Sequence, residues 1–304
     1  MHETMKIPEF PEFAPIDLEL RPEMFSLLSK TPDGVSEYTF SNLYLFRKKY
    51  EYKVSRSTEK NLILSGTNGG QRFFMTPCAT PGRSVLVELF DTHDYWKGIP
   101  DSVLSHCRAC LECRGIDIAE DRNNFDYLYL RNNLAELPGR KYHKKRNLVR
   151  AFTSSYQKYE GCMLTKELVP DALSVLKSWE ERKGVKGDYE AAREALELFD
   201  VLEMQGAIYY VNDRPAGWCL GESLARGKMF AVHFEKAIED YKGIYQYINQ
   251  AFAASLPMEY RSINREQDLG DEGLRQAKMS YRPSGFVRKY IGRCRRPCDS
   301  VDQS

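Results

Sequence analysis

Residues 207–235 read AIYYVNDRPAGWCLGESLARGKMFAVHFE. Three β runs stand out in them: Ala207–Val211, Gly217–Glu222 and Met229–Glu235. Aromatic and β-branched side chains fill the runs, and turns at Asn212-Asp213-Arg214-Pro215 and Arg226-Gly227 separate them, so the stretch predicts a meander. Upstream, Tyr159–Leu164 reads as a short strand. Pro170–Arg182 follows as a helix, with Pro170 in its first turn and Leu173, Leu176 and Trp179 along one stripe. Gly184 to Gly187 breaks it. Asp188 is then expected to cap a helix that turns Tyr189, Ala192, Leu196, Phe199 and Leu202 inward. Downstream, Ile244, Tyr247, Ile248, Phe252 and Leu256 mark a helix from about Gly243 to Ser255. Tyr260–Asn264 predicts a strand, Asp271–Met279 a helix and Gly285–Tyr290 a last strand, giving the order β-α-α-β-β-β-α-β-α-β.

The first half carries a blurred version of that order. Leu20–Ser29 is helical, and Tyr50–Ser55, Asn61–Ser65 and Arg72–Thr76 are strands. A helix at Asp101–Arg114, a strand at Ile116–Ala119 and a closing strand at Tyr127–Leu130 complete it. Two echoes point to duplication. Asp94-Tyr95-Trp96-Lys97-Gly98-Ile99 resembles Asp240-Tyr241-Lys242-Gly243-Ile244, each ahead of a long helix, and Glu120 follows the first echo at the distance at which Glu266 follows the second. The expected organisation is an N-terminal domain at 1–138, a connecting basic helix at 139–156, and a C-terminal domain with a basic tail at 157–304. The fold class is α+β: two mixed, mostly antiparallel sheets flanked by helices.

Composition limits the function classes. The chain has 304 residues, 44 Lys+Arg against 43 Asp+Glu, and 42% hydrophobic residues, as in an ordinary globular protein of about two domains. No run approaches the roughly 18 apolar residues of a membrane span. The opening MHETMKIPEFPEF has no apolar core of a signal peptide, so the expected compartment is the cytoplasm, with reduced thiols. Cys107, Cys110 and Cys113 have the C-x2-C-x2-C spacing of an iron–sulfur run, but no fourth cysteine stands near Asp117. On an amphipathic helix they read as small apolar residues. Cys294 and Cys298 lie in the basic tail. No metal site, Ser-His-Asp arrangement or Walker spacing is expected.

Two runs carry a family resemblance: residues 137–147, LPGRKYHKKRN, and residues 263–283, INREQDLGDEGLRQAKMSYRP. The strand order of the second half matches the GNAT acyltransferase superfamily. Over most of residues 20–290 the chain resembles the family that contains the C-terminal, cytosolic domain of phosphatidylglycerol lysyltransferases, itself similar to the Fem peptidoglycan aminoacyltransferases. The resemblance implies two GNAT-like domains in tandem and transfer of an aminoacyl group, with aminoacyl-tRNA as donor. The membrane-embedded half of the lysyltransferases is absent from this chain, so the acceptor stays open: a small molecule, a peptide or a lipid.

Acyl transfer needs a base, donors for the oxyanion and firm positioning. GNAT enzymes that use acyl-CoA hold its pyrophosphate at the start of the long helix, on Arg/Gln-x-x-Gly-x-Gly/Ala. Here the segment is Asp240-Tyr241-Lys242-Gly243-Ile244-Tyr245, with an acidic lead residue and a tyrosine in place of the second glycine. The first-half copy, Lys97-Gly98-Ile99-Pro100, fits no better. Acyl-CoA is therefore disfavoured, and no tightly bound cofactor is expected.

Charge is local rather than global. Residues 139–150 hold six Lys/Arg and 273–298 hold eight, with no acid in either. With interleaved Tyr142, Tyr281 and Tyr290 they suit a tRNA end or an anionic membrane surface. Arg140, Lys141, Lys144, Lys145 and Arg146 are the expected phosphate contacts. Glu266 or Asp268, just past a strand, is the candidate ammonium receptor or general base, with Tyr281 beside them; Asp268 or Asp271 serves equally as a helix cap. Arg265, Arg275, Lys278, Glu222, His233 and Tyr245 are candidate substrate contacts. Two other readings stay open: a non-catalytic module that binds an amino acid or metabolite, and an acyl-CoA-dependent N-acyltransferase.

Overall fold

The computed structural model describes residues 6–184 and 187–295. Cys298, the end of the basic tail, the first five residues and the pair between Gly184 and Gly187 lie outside the described residues. The strands are β1 (Ala14–Pro15), β2 (Lys53–Arg56), β3 (Leu62–Asn68), β4 (Gln71–Met75), β5 (Tyr95–Pro100), β6 (Ile116–Glu120), β7 (Asp126–Leu130), β8 (Tyr159–Met163), β9 (Gln205–Val211), β10 (Arg214–Leu224), β11 (Met229–Ala237), β12 (Ser262–Asn264), β13 (Gly285–Val287) and β14 (Lys289–Cys294). They form two seven-stranded sheets, ordered β1-β2-β3-β4-β5-β14-β6 and β13-β7-β12-β11-β10-β9-β8. Both are mixed and mostly antiparallel. The expected meander is β9-β10-β11, with Trp218 registered between Ile208 and Lys236.

The two sheets exchange strands, which the sequence reading did not foresee. In each, a helix carries the chain across to a parallel strand: Arg83–Thr92 joins β4 to β5, and Ile244–Ser255 joins β11 to β12. A further helix follows each parallel strand, Asp101–Cys113 and Glu272–Met279, leading to β6 and β13. The strand after β6 is β7. It leaves the first sheet and inserts antiparallel between β12 and β13 of the second. The strand after β13 is β14, which inserts antiparallel between β5 and β6 of the first. The repeats are thus two-fold related and interlocked.

Several expectations change accordingly. Tyr127–Leu130 lies inside the second sheet and does not close the first. Gly285–Tyr290 is not one strand; it breaks at Arg288, and β14 belongs to the first sheet. A boundary at 138 therefore does not separate the sheets, because alternation and β propensity mark a strand but not its partner. The echo at Asp94–Ile99 is largely strand β5, whereas Asp240–Ile244 is a turn. The counterpart of helix 244–255 is helix 83–92, whose Val85 and Val87 disguised it. Asp188 precedes its helix but makes no capping bond.

One apolar core joins the halves. Leu20, Met24, Tyr38 and Phe73 of the first belong to the same buried cluster as Leu176, Ala192, Leu220 and Phe234 of the second. Where the exchanged strands begin, Lys289 of β14 meets Asp126 of β7 at 2.7 Å and also Glu37, all three buried. Ser36 donates its backbone N–H and its hydroxyl to Asp126, each at 2.9 Å, and Asn264 adds a bond at 3.1 Å. A buried charge is tolerated only when paired and hydrogen-bonded in this way.

Candidate active site

A cleft of about 660 Å³ opens between the sheets. Its second-half wall comes from β11, from the loop after β12 and from helix Glu272–Met279; its first-half wall holds Glu37, Asn42, Lys49, Tyr50 and Lys97. Glu266 sits two residues past β12 in left-handed backbone, φ 54°. The exchanged strand sets that turn: Tyr127 N–H donates to the Glu266 carbonyl at 3.1 Å, and Arg265 N–H donates to the Tyr127 carbonyl at 3.0 Å. Asn264 side-chain oxygen accepts from Glu266 N–H at 2.7 Å.

The Glu266 carboxylate lies 2.7 Å from His233 Nδ1, and Glu222 lies 3.0 Å from His233 Nε2. Asn42 donates to Glu266 at 3.2 Å. His233 and Glu222 are buried, while Glu266 borders the cleft. Burial opposes a charged imidazole, but the two carboxylates outweigh it and push the His233 pKa up to about 10. The clamp therefore holds a protonated histidine between two carboxyl groups, of which Glu266 borders the cleft.

A cationic group stands beside it. Lys278 donates to the carbonyls of Arg265 and Gln267, each at 2.5 Å. Lys145 lies 3.9 Å from the centroid of the Tyr281 ring, and the Arg265 guanidinium 5.4 Å from it. Arg265 is also paired with Glu235 at 3.1 Å. Burial, reinforced by Arg265, lowers both Lys278 and Lys145 to about 8. All six of these residues line the cleft.

The other expected site residues lie elsewhere or are tied up. Asp268 is fully buried away from the cleft. Tyr127 donates to it at 2.6 Å, Arg275 twice at 2.9 Å, Arg122 at 3.2 Å and Gly270 N–H at 2.9 Å. Burial alone would raise its pKa, but these donors hold it well below the usual carboxylate range. Asp268 and Arg275 thus brace the loop that carries Glu266. Asp271, not Asp268, caps the helix, accepting from Leu274 N–H at 2.7 Å. Tyr245 borders the cleft, but its hydroxyl bonds the backbone of Ala237. The basic run divides: Lys145 reaches the cleft, Arg146 folds back onto the carbonyls of Leu137 and Gly139, and Arg140, Lys141 and Lys144 stay exposed. On helix Asp101–Cys113, Cys107 is half-buried and donates to the Val103 carbonyl, while Cys110 and Cys113 are exposed rather than core. Among the described residues no three of His, Cys, Asp and Glu gather as a metal-ligand set.

The reading of the sequence missed the first-half wall. Glu37, Asn42, Lys49 and Lys97 carry no motif; the one available signal was Lys97, a charge inside the aromatic run Tyr95–Ile99. Asp188 and Lys236 were also missed. They pair at 2.6 Å at the cleft edge, with the Lys236 ammonium 3.8 Å from the Trp179 ring.

Comparison with known proteins places this architecture. A conserved protein of unknown function from Bacteroides thetaiotaomicron VPI-5482 is 30% identical, with a TM-score of 0.85 over 93% of this chain and 99% of its own. L-PGS from Bacillus licheniformis shares the fold, at a TM-score of 0.63 and 14% identity over 98% and 96% of the two chains. Among curated proteins, an uncharacterised protein of Mycoplasmoides gallisepticum is 25% identical over 183 residues, and the match spans 57% of each chain. No described helix is long and apolar enough to cross a membrane. The profile described as "Phosphatidylglycerol lysyltransferase, C-terminal" matches residues 29–293, and the chain, with its two interlocked GNAT-like repeats, belongs to that family of transferase domains.

Proposed function

We propose that this protein transfers an aminoacyl group from aminoacyl-tRNA to an amine or hydroxyl acceptor within the cleft. The observation that carries this reading is the Glu222–His233–Glu266 clamp beside the Lys145–Lys278–Arg265 group. An aminoacyl ester carries an ammonium next to its carbonyl, and phosphates close behind. Glu266 is the ammonium receptor. Its carboxylate is held by His233 and Asn42, so it is preorganised rather than free to swing. Lys278 and Lys145 supply positive charge for the oxyanion and the terminal phosphate. The acceptor's nucleophile attacks the ester carbonyl, the bond to the ribose oxygen breaks, and that oxygen takes up the proton the nucleophile releases. No covalent enzyme intermediate is involved.

Acyl-CoA as donor is disfavoured by packing as well as by sequence. At Gly243, the N-cap of helix Ile244–Ser255, a Cβ would lie 2.3 Å from the Leu148 carbonyl oxygen. The glycine serves the close crossing of helix His143–Ser155 at the place where a pyrophosphate would need open backbone.

The test is transfer of radiolabelled amino acids from charged tRNA to amine, peptide and phospholipid acceptors. Glu266→Gln should lower kcat/KM by on the order of 100-fold while circular dichroism stays unchanged, from loss of one charge-assisted contact. Turnover equal to wild type removes Glu266 from the reaction. A thermal shift with a free amino acid, without tRNA binding or turnover, points instead to a sensor module.

A further inference from the structure

Two lysines of the first half enter the cleft without acidic partners. Lys97 is only 6% exposed, yet among the described residues it has no carboxylate within 4.0 Å. Its ammonium rests on two rings, 5.1 Å from the centroid of Tyr50 and 5.0 Å from that of Phe73. Lys49 brings a second ammonium to the same Tyr50 ring, at 5.3 Å, and it too has no carboxylate partner among the described residues. Both line the cleft.

The backbone aims Lys97 there. Trp96 stacks on Phe74 on the opposite face of the first sheet, so strand alternation turns Lys97 toward the second. Gly98 follows in left-handed backbone, φ 70°, its carbonyl accepting from Tyr38 at 2.7 Å, and opposite it the β5–β14 register shifts. Charge balance does not explain the placement fully. Glu37 and Asp126 share one cation, Lys289, so Lys97 would neutralise the group. An ammonium kept only for that purpose would close to contact with Glu37, and Lys49 would not be needed. Two like charges converging on one ring are unfavourable until an anion joins them. Burial lowers the Lys97 pKa and Glu37 pulls the other way, so the ammonium is poised for an added negative partner.

We propose that Lys97 and Lys49 form an anion subsite on the first-half wall, where Tyr50 supports a phosphate or carboxylate group of the acceptor. The identification with the acceptor rests on the transfer reading; the subsite does not. The Lys145–Lys278 group of the second half is left for the donor.

Inorganic phosphate is the first probe, titrated into the whole protein and followed by calorimetry. Lys97→Met should weaken binding by roughly tenfold or more, and the exposed Lys49→Met, which leaves the core untouched, by roughly threefold. Glycerol phosphate and acetate in solution, against vesicles of phosphatidylglycerol or phosphatidylcholine, then distinguish the source. Lys49-dependent retention on phosphatidylglycerol vesicles alone assigns a lipid phosphate; Lys49-dependent binding of a soluble anion alone assigns a soluble acceptor. Unchanged phosphate affinity in both variants overturns the subsite, as does a loss that follows Lys145→Met and neither first-half lysine. Because binding is read without turnover, failure here is distinct from failure of the transfer reaction.

Discussion

At the scale of single residues, the His233 clamp makes the clearest physical demand. A buried imidazole would ordinarily be neutral, yet Glu266 and Glu222 hold it protonated. Folding raises its pKa from an ordinary 6.5 to about 10, so its contribution is complete below about pH 6.5 and is lost as pH rises toward 10. Thermal melts between pH 6 and 10 should show stability falling across that window, and the fall should flatten in His233→Gln. An equally steep fall in the variant would show that the imidazole is not the titrating group. Under the proposed function, the same clamp suits Glu266 to the ammonium-receptor role: an acid already shared with an imidazolium is better placed to hold a cation than to take a proton.

At the scale of elements, the crossing of helices His143–Ser155 and Ile244–Ser255 fixes where Lys145 stands. Gly243 makes that crossing close: its φ is 87°, and the Leu148 carbonyl occupies the space a side chain would need. Gly243→Ala should cost about 2 kcal/mol or more, from left-handed backbone and overlap together. Urea unfolding reads that loss. Affinity for tRNA should fall with it, because Lys145 is displaced from the Tyr281 ring. A variant as stable as the parent would mean that the helices can separate without cost.

At the scale of the whole molecule, the exchanged strands make the two repeats one folding unit. The first sheet lacks β14 without the second half, and the second lacks β7 without the first. Residues 1–138 and 139–304 expressed separately should each fail to give dispersed amide spectra, whereas co-expression should restore a soluble complex. Each half alone would expose unpaired strand edges and part of the shared core. A well-folded isolated half would contradict the interlock. The interlock also serves the site, since β7, from the first repeat, holds the backbone of Glu266 in the second.

Local pattern determined much of this protein. The meander at 207–235 and the helix stripes at 170–182 and 244–256 follow from side-chain period and turn chemistry, which act over a few residues. The run 263–283 offered Arg265, Glu266, Asp268, Arg275, Lys278 and Tyr281 as candidates without ranking them by position, and the family resemblance rested in part on the same letters. Tertiary structure alone decided which sheet took β7 and β14, that Asp271 caps the helix while Asp268 is buried among donors, and that Lys97 and Lys49 meet at Tyr50. Those outcomes depend on contacts between residues far apart in the chain, such as Asp126 with Lys289 and Asn42 with Glu266. A one-dimensional pattern carries the period of each segment but not the partner it will bury against.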